Sequence, residues 1–302
     1  LGWSRGLGDV YKRQGWLGQA TDLCVEWLLA NAQGLFDVIK VSVLALVSVT
    51  ELVLEWPPAW LFALITSGLG FWRVNGGFAL FVLLGFNLVL SMALWSEMIA
   101  TLSLVLTASG LALLIGLPLG ILSARSRLVW RLVRPCLDLM QTMPAFVYLI
   151  PAVMLFSTGA VPSILATLIF AMPPVVRLTH LGIVQVPDDL IEAGRSFGCS
   201  DRQLLWKVQM PSAIPTVMTG VNQTIMLSLS MVVIASMIGG GGLGDVVLRG
   251  IQQLDVGMGF EGGIAVVILA VILDRLSQSF AGRRRSSLQQ RLRAWMTLWR
   301  SS

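Results

Sequence analysis

Charged residues are scarce in this chain. Asp, Glu, Lys and Arg make up 12% of its 302 residues, whereas they make up about 25% of a typical soluble domain. The formal net charge is only +5, and the sequence has no dense basic patch of the kind that binds a phosphate backbone. We therefore expect a membrane protein rather than a soluble domain, and no nucleic-acid partner.

Histidine and cysteine are also scarce. The chain has one histidine, His180, and three scattered cysteines that form no Cys-x-x-Cys pair. This inventory supports neither a disulfide framework nor a zinc site, and a single histidine leaves no set for a metal cluster. We predict no metal, no cofactor and no catalytic residue, and hence a protein that is not itself an enzyme.

Apolar residues dominate what remains. They make up 56% of the chain, the mean hydropathy is +0.80, and several runs approach the roughly 20 residues that cross a bilayer as a helix. The predicted fold class is an all-α integral membrane protein with about seven transmembrane helices. The predicted spans are residues 59–74, 77–95, 98–123, 138–157, 161–180, 212–238 and 260–280.

The chain divides further by composition. Residues 9–14, Asp-Val-Tyr-Lys-Arg-Gln, resemble a translated sequencing adapter, so the first 14 residues are set aside as an artefact. A predicted amphipathic helix over 23–56 lies along the membrane surface and ends at Pro57-Pro58. The predicted division is 1–14 artefact, 15–58 extracytoplasmic amphipathic segment, 59–95 two peripheral spans, 96–280 core domain with a cytoplasmic loop at 186–211, and 281–302 basic cytoplasmic tail.

Basic residues cluster between alternate spans, and this clustering predicts the orientation. If the carboxyl end is cytoplasmic, 16 of the 18 Lys and Arg residues beyond position 14 lie inside, and only Lys40 and Arg249 lie outside. Positive charge favours the cytoplasmic side, so an odd number of spans places the amino end outside. The tail from Arg283 to Arg300 is predicted either as an amphipathic helix on anionic membrane lipid or as a disordered chain.

One polar segment interrupts the apolar runs, and it starts at Pro187. Pro187 and the carboxylates of Asp188 and Asp189 favour the beginning of a helix. Gly198 breaks the helical period, and Asp201 is predicted to cap a second short helix that runs through Trp206. Two short helices at an angle would form a rigid knob on the cytoplasmic side.

The spacing within this segment resembles the "EAA" loop of ABC-importer permeases. The family pattern is Glu-Ala-Ala, three residues, Gly, nine residues, Ile, one residue, Leu-Pro, and this chain departs from it at Gly194, Val208 and Met210. The resemblance implies that the loop contacts a partner ATPase. The residues it assigns to that contact are Glu192, Ala193, Gly194, Gly198, Val208, Met210 and Pro211.

Residues 137–156 and 221–263 resemble the glycine betaine/proline betaine permease of osmoprotectant ABC importers. That resemblance implies a type-I importer permease fold, in a multi-pass protein of the bacterial cytoplasmic (inner) membrane. It also implies a permease homodimer, two copies of an ATP-binding subunit and an extracytoplasmic substrate-binding protein. The glycine run at 239–244 lacks the Gly-Lys-Ser/Thr ending of a phosphate loop, and it is interpreted as a tight connector near the dock of the binding protein.

Polar side chains inside spans usually face protein or a water-filled path. Aromatic faces near Pro144 could also receive a quaternary ammonium group. The candidate translocation-path residues are Gln141, Thr142, Phe146, Tyr148, Asn222, Gln223, Ser228 and Ser230. Hydrogen bonds between helices and simple aromatic packing are the alternative roles for each of them.

The predicted function is therefore the permease subunit of an ATP-driven importer for glycine betaine or proline betaine in osmoprotection. One alternative keeps the importer class with another cargo, such as choline, a different quaternary amine or an amino acid. Another is a passive channel or osmotic sensor whose loop binds no ATPase. An intramembrane enzyme is a third, although the chain lacks the His and Cys sets that such chemistry uses.

Overall fold

The computed structural model describes Trp27 and residues 30–281, and between Gln33 and Ala281 every regular element is a helix. The α-helices are α1 (Gln33–Glu55), α2 (Ala59–Arg73), α3 (Gly76–Ser91), α4 (Trp95–Arg125), α5 (Arg127–Thr142), α6 (Ala145–Phe156), α7 (Ala160–Val184), α8 (Asp188–Ser196), α9 (Asp201–Leu204), α10 (Met210–Ala235), α11 (Leu243–Gln253) and α12 (Val256–Ala281). A π-helical turn joins α9 to α10, and a 3-10 turn follows α10. The predicted artefact at 1–14 and the predicted tail helix from Arg283 lie outside the described residues.

The seven predicted spans all coincide with helices. In the described part of the chain, four helical stretches are long and apolar enough to cross a membrane: α4, α7, Asp201–Ile238 and α12. The bent pair of α5 and α6 makes a fifth if it is counted as one span. The two peripheral helices, α2 and α3, have 15 and 16 residues, which is short of the roughly 20 residues of a full crossing.

One predicted span is not continuous, and this corrects the prediction of a single span at 138–157. Helix α5 begins at Arg127 and ends at Thr142, and α6 begins at Ala145 with its axis bent by 100° from that of α5. Met143 takes an extended conformation with ψ of 136°. A residue that precedes proline is driven out of the helical region by the proline ring, so Pro144 ends α5 where apolar composition alone would continue it.

Helix α7 lies at the centre of the molecule, against α4 on one side and α10 on the other. Its contact with α4 depends on two glycines one turn apart. A Cβ atom on Gly116 would lie 2.5 Å from Val175 Cγ1, and one on Gly120 would lie 2.6 Å from Thr179 Cβ. Small residues at four-residue spacing let two membrane helices approach closely, so α4 and α7 come into close contact at these two positions.

The contact between α7 and α10 follows the same rule. A Cβ atom on Gly220 of α10 would lie 3.1 Å from Val175 Cα and 3.2 Å from the Pro174 carbonyl oxygen. Gly182 of α7 meets Ala213 of α10 in the same way, at 3.2 Å from its carbonyl oxygen. Three long helices are therefore held at close backbone distance, and the remaining helices pack around them.

Of the amphipathic helix predicted at 23–56, residues Gln33–Glu55 form α1, which stops before Pro57-Pro58 as predicted. Val43 and Val47, one turn apart, are its buried residues. Phe36 packs edge to face on Phe156 at a ring distance of 5.5 Å. Helix α1 is therefore docked on the helical core through one apolar stripe, and its position along the membrane surface stays a prediction.

The peripheral pair α2 and α3 is fixed at both ends. At one end, the rings of Phe62, Phe86 and Trp95 pack edge to face with centroid distances of 5.6–5.8 Å. At the other end, the Arg73 guanidinium lies 4.4 Å from the centre of the Phe280 ring, a cation–π contact that ties α2 to the end of α12.

The glycine contact between α4 and α7 gives a first testable prediction. Gly120→Ala should lower the thermal unfolding midpoint in detergent, because its Cβ would meet Thr179 and the Val176 carbonyl oxygen, the latter at 2.9 Å. Overpacking of this kind costs about 1–3 kcal/mol. Gly110→Ala on the same helix is the matched control, because nothing lies within 4 Å of its Cβ. Equal midpoints for the two variants would contradict the proposed role of Gly120.

Candidate functional site

The polar loop predicted at 186–211 contains two short helices. Helix α8 begins at Asp188 directly after Pro187, with Asp188 and Asp189 in its first turn, as the sequence predicted. Carboxylates at this end of a helix interact favourably with its unpaired N–H groups. The first helix of the knob is therefore set by local sequence.

Gly198 forms the corner between the two short helices. Its φ is +78°, a left-handed conformation that glycine adopts without steric cost. The Gly198 N–H donates to the Arg195 carbonyl at 2.9 Å, and the Cys199 N–H donates to the Gly194 carbonyl at 3.1 Å. This pair of bonds is a Schellman motif, so the turn that the sequence placed at Gly198 has a defined backbone geometry.

The second short helix begins differently from the prediction, which named Asp201 as its cap. Ser200 is the cap: its hydroxyl accepts from the Gln203 N–H at 3.4 Å, and Gln203 Oε1 accepts from the Ser200 N–H at 2.9 Å. This reciprocal arrangement satisfies two backbone donors. Asp201 is instead the first residue of α9, where its charge still favours the helix start.

The second helix also does not end at Trp206. It continues through a π-helical turn, Leu205–Gln209, into α10, so residues 201–238 form one stretch of 38 residues. Pro211 lies in the first turn of α10 rather than between two elements. Single π-turns inside α-helices occur frequently at functional sites. The knob is thus joined to a membrane-spanning helix without a flexible connection.

The two short helices touch at Gly194. This residue is buried, and a Cβ atom there would lie 2.7 Å from Leu204 Cδ1 and 3.4 Å from Val208 Cγ2. Leu204 and Leu205 are buried in the same place, and Met210 packs against the neighbouring cluster around Ile183. Gly194, Val208 and Met210 therefore form the inside of the knob.

The outer surface of the knob carries the remaining loop residues. Glu192, Ala193 and Gly198 are exposed, and Phe197 beside them has 89% of its surface exposed. Trp206 is also more than half exposed. Sequence analysis missed Phe197 and Trp206 as candidates.

The candidate path residues fall into three groups, and the first is an exposed polar stripe on α10. Gln223 and Ser230 are exposed and seven residues apart, which places them on one face of the helix. Thr219 is exposed on the same face and had not been singled out. Gln141, Thr142 and Phe146 are also exposed, at the end of α5 and the start of α6. A polar stripe along a membrane helix is unfavourable against lipid.

The second group is bound into side-chain networks. Asn222 Nδ2 donates to Asp274 Oδ1 at 3.1 Å, and Ser277 Oγ donates to Asn222 Oδ1. Gln278 Nε2 donates to the same Asp274 oxygen at 2.7 Å. This cluster ties α10 to α12, so its contact supports the alternative role of an interhelical hydrogen bond for Asn222.

Tyr148 belongs to the same group. Its hydroxyl donates to the Met140 carbonyl at 2.5 Å, and its ring is buried against Phe170 of α7 at 6.4 Å. Met140 is four residues before Pro144, whose ring nitrogen has no hydrogen to donate. The Tyr148 hydroxyl thus occupies the position of the missing helical hydrogen bond, and its ring packs within the helical core.

Ser228 forms the third group by itself. Its hydroxyl is fully buried, like that of Thr224 one turn earlier, and neither oxygen has a hydrogen-bond partner within the described residues. The contacts therefore separate the candidates, and the translocation path stays a prediction. Exposed Phe146, rather than buried Tyr148, is the ring on this segment that a solute could reach.

Comparison with known proteins shows to which protein family the chain belongs. The family described as "Binding-protein-dependent transport system inner membrane component" matches residues 116–286, which include the knob, α10 and α12. The chain belongs to this family. It is therefore a multi-pass permease component of an inner-membrane transport system and not an enzyme.

Several relatives of the permease are closely similar over most of its length. It is 50% identical to the glycine betaine/proline betaine transport system permease protein ProW of Escherichia coli, over 90% of this chain and 76% of the relative. It is 46% identical to the glycine betaine transport system permease protein OpuAB of Bacillus subtilis, over 89% and 96%. It is 49% identical to the glycine betaine/carnitine transport permease protein GbuB of Listeria monocytogenes, over 85% and 93%.

Solved structures support the fold. An inward-facing structure of the MetNI methionine ABC transporter matches with a TM-score of 0.56 at 20% identity, over 60% of the permease and 91% of that chain. At this identity the likeness concerns the fold alone. Together with the helical architecture, it confirms the predicted all-α importer permease fold.

The packing inside the knob gives a second prediction. Gly194→Leu should separate α8 from α9, because the leucine side chain must displace Leu204 and Val208. The ATPase activity of the assembled transporter should then fall at least tenfold. Gly194→Ala is the matched control, because the close contact of its Cβ, at 2.7 Å, is with the flexible end of Leu204, and Val208 Cγ2 lies at 3.4 Å. Both variants should insert and purify in equal amount. If the transporter with Gly194→Leu kept its full ATPase activity, the packing of the knob would have no role in coupling.

Proposed function

We propose that this permease forms the membrane pathway of an ATP-driven importer that carries glycine betaine and related betaines into the cell. The observation that carries the proposal is the exposed knob at 188–209, whose second helix continues without a break from Asp201 into a spanning helix. A rigid surface of this kind can pass the movement of a soluble motor to helices in the membrane. Osmoprotection is the physiological role that fits such a cargo.

The cargo is inferred from the relatives. Glycine betaine appears in the names of all three relatives described above, and two of the names add a second solute, proline betaine or carnitine. All these solutes carry a quaternary ammonium and a carboxylate. Choline or an amino acid as cargo finds no comparable support.

The partners follow from the class. Phe197 and Trp206 present apolar surface beside the charge of Glu192, a mixture typical of protein contacts, and we infer that an ATP-binding subunit docks there. Two such subunits would serve two copies of the permease. The exposed stripe of Thr219, Gln223 and Ser230 supports the homodimer, because a second copy would turn this stripe from lipid toward a shared, hydrated path.

The orientation is inferred from charge. The knob end of the described chain carries Arg125, Arg127, Arg131, Arg134, Arg177, Arg195, Arg202 and Lys207, and the opposite end carries Arg249 against Glu97, Asp245, Asp255 and Glu261. Because positive charge favours the cytoplasm, the knob end is inferred to be cytoplasmic. The binding protein would then approach the opposite, acidic end.

Transport itself gives the third prediction. Proteoliposomes that contain the permease and its ATPase, with ATP inside and the betaine-loaded binding protein outside, should accumulate radiolabelled glycine betaine. Uptake should require both ATP and the binding protein, and the Gly194→Leu permease should reduce it to background. Excess unlabelled choline should not compete. Uptake without ATP would instead indicate a passive channel, and strong competition by choline would indicate a different cargo.

Cysteine labelling gives the fourth prediction. The three native cysteines are first replaced by serine, and single cysteines are placed at Gln252 and at Arg202, both exposed. A membrane-impermeant maleimide on intact cells should label Gln252→Cys and should not label Arg202→Cys until the membrane is permeabilised. The reverse pattern would overturn the orientation, and with it the cytoplasmic assignment of the knob.

A further inference from the structure

The corner between α11 and α12 has the same backbone geometry as the corner inside the knob. The Leu254 N–H donates to the Ile251 carbonyl at 3.3 Å, and the Asp255 N–H donates to the Gly250 carbonyl at 2.9 Å. These bonds repeat the Schellman pattern of Gly198 and Cys199. The chain therefore builds this turn twice, once at each end of the molecule.

The two corners differ in the residue that adopts the left-handed conformation. In the knob it is glycine, and in the outer corner it is Leu254, with φ of +55°. Glycine is strongly preferred at this position, and a branched side chain there is a steric outlier. Strained residues persist where the surroundings fix them, and they cluster at functional sites. Leu254 thus carries strain that a glycine would remove.

The surroundings of Leu254 are rigid. The Asp255 carboxylate accepts from the Met258 N–H at 3.0 Å and so caps the start of α12. Helices α11 and α12 are in close contact behind the corner, because a Cβ atom on Gly250 would lie 2.5 Å from the Gly259 nitrogen. The corner cannot relax by sliding one helix along the other, so the Leu254 side chain is held outward.

The surface around the corner is apolar at its tip and acidic at its side. Leu254 is 88% exposed and Val256 is 84% exposed. Beside them, a groove between the start of α4 and the α11–α12 hairpin is lined by Glu97, Asp255 and Glu261. Its one basic residue, Arg249, is paired with Asp245 at 3.2 Å. The groove therefore carries excess negative charge.

We propose that the Leu254 corner is a docking contact for the extracytoplasmic substrate-binding protein, and this inference rests on the proposed function and orientation. Leu254 enters an apolar pocket of the binding protein, and lysine or arginine residues at the rim of that pocket face Glu97 and Glu261. A few well-buried residues carry most of the binding energy of such interfaces.

The acidic groove argues for this occupant over two others. A two-fold contact between permease copies centred on the corner would bring the same carboxylates together, and juxtaposed like charges are unfavourable. Anionic lipid headgroups would be repelled by the same carboxylates. A basic surface on a soluble partner is attracted to them, and that attraction also speeds encounter.

The test uses the complete transporter in nanodiscs and the binding protein loaded with glycine betaine. Leu254→Gly should raise the Kd for the binding protein at least tenfold and leave the ATPase activity measured without the binding protein unchanged. It should also raise the thermal unfolding midpoint, because the strain at this residue is removed. Ser157→Gly is the matched control: Ser157 also has a positive φ, of +65°, and it does not line the groove, so it should stabilise the complex without changing the Kd. Glu261→Gln should weaken the salt dependence of binding.

The outcomes separate the inference from the proposed function. A wild-type Kd in both Leu254→Gly and Leu254→Asn would overturn the docking site while leaving binding-protein-dependent transport intact. Dissociation of the permease dimer in these variants, measured by mass photometry, would also overturn it and assign the corner to a contact between copies. Failure of the wild-type transporter to bind the loaded protein would refute both the docking site and the importer function.

Discussion

The close approach of three backbones, those of α4, α7 and α10, is the constraint on which the other features depend. In a bilayer the surrounding lipid is as apolar as leucine, so the hydrophobic effect does not press these helices together, and close packing must do so. Glycines at 116, 120, 182 and 220 make that packing possible, because a Cβ atom at each would meet a neighbouring helix. Close packing of this kind resists compression and transmits strain.

The broken span shows how a proline can interrupt such a structure at modest cost. Every backbone polar group at membrane depth has to be satisfied within the protein. Pro144 removes the donor that Met140 would have used, and the Tyr148 hydroxyl supplies another at 2.5 Å. The ring of Tyr148 then packs on α7, so the same residue closes the break and attaches the bent pair to the central helices.

Sequence patterns predicted the elements that local chemistry controls. The apolar runs located helices at all seven predicted positions, and the residues Pro187, Asp188 and Gly198 indicated the start and corner of the knob because each acts within one turn. The interruption at Met143 was missed, because the apolar residues around Pro144 are compatible with a straight helix as well as with a bent one. The cap at Ser200 was assigned to Asp201 because either residue can cap, and only the Gln203 contact distinguishes them. The roles of Tyr148 and Asn222 depended on partners distant in sequence, which periodicity does not reveal.

The continuity of residues 201–238 has a mechanical consequence. A helix of 38 residues is about 57 Å long at 1.5 Å per residue, enough to reach from the knob to the opposite end of the molecule. The π-turn at Leu205–Gln209 is the place along it where the hydrogen-bond register changes, and so the place where a tilt of the knob can enter the helix. Near its middle, Asn222 is hydrogen-bonded to Asp274 of α12, so a polar cluster joins these two helices. Since α12 begins beside the Leu254 corner, α10, this cluster and α12 form a continuous structural connection between the knob and the opposite surface.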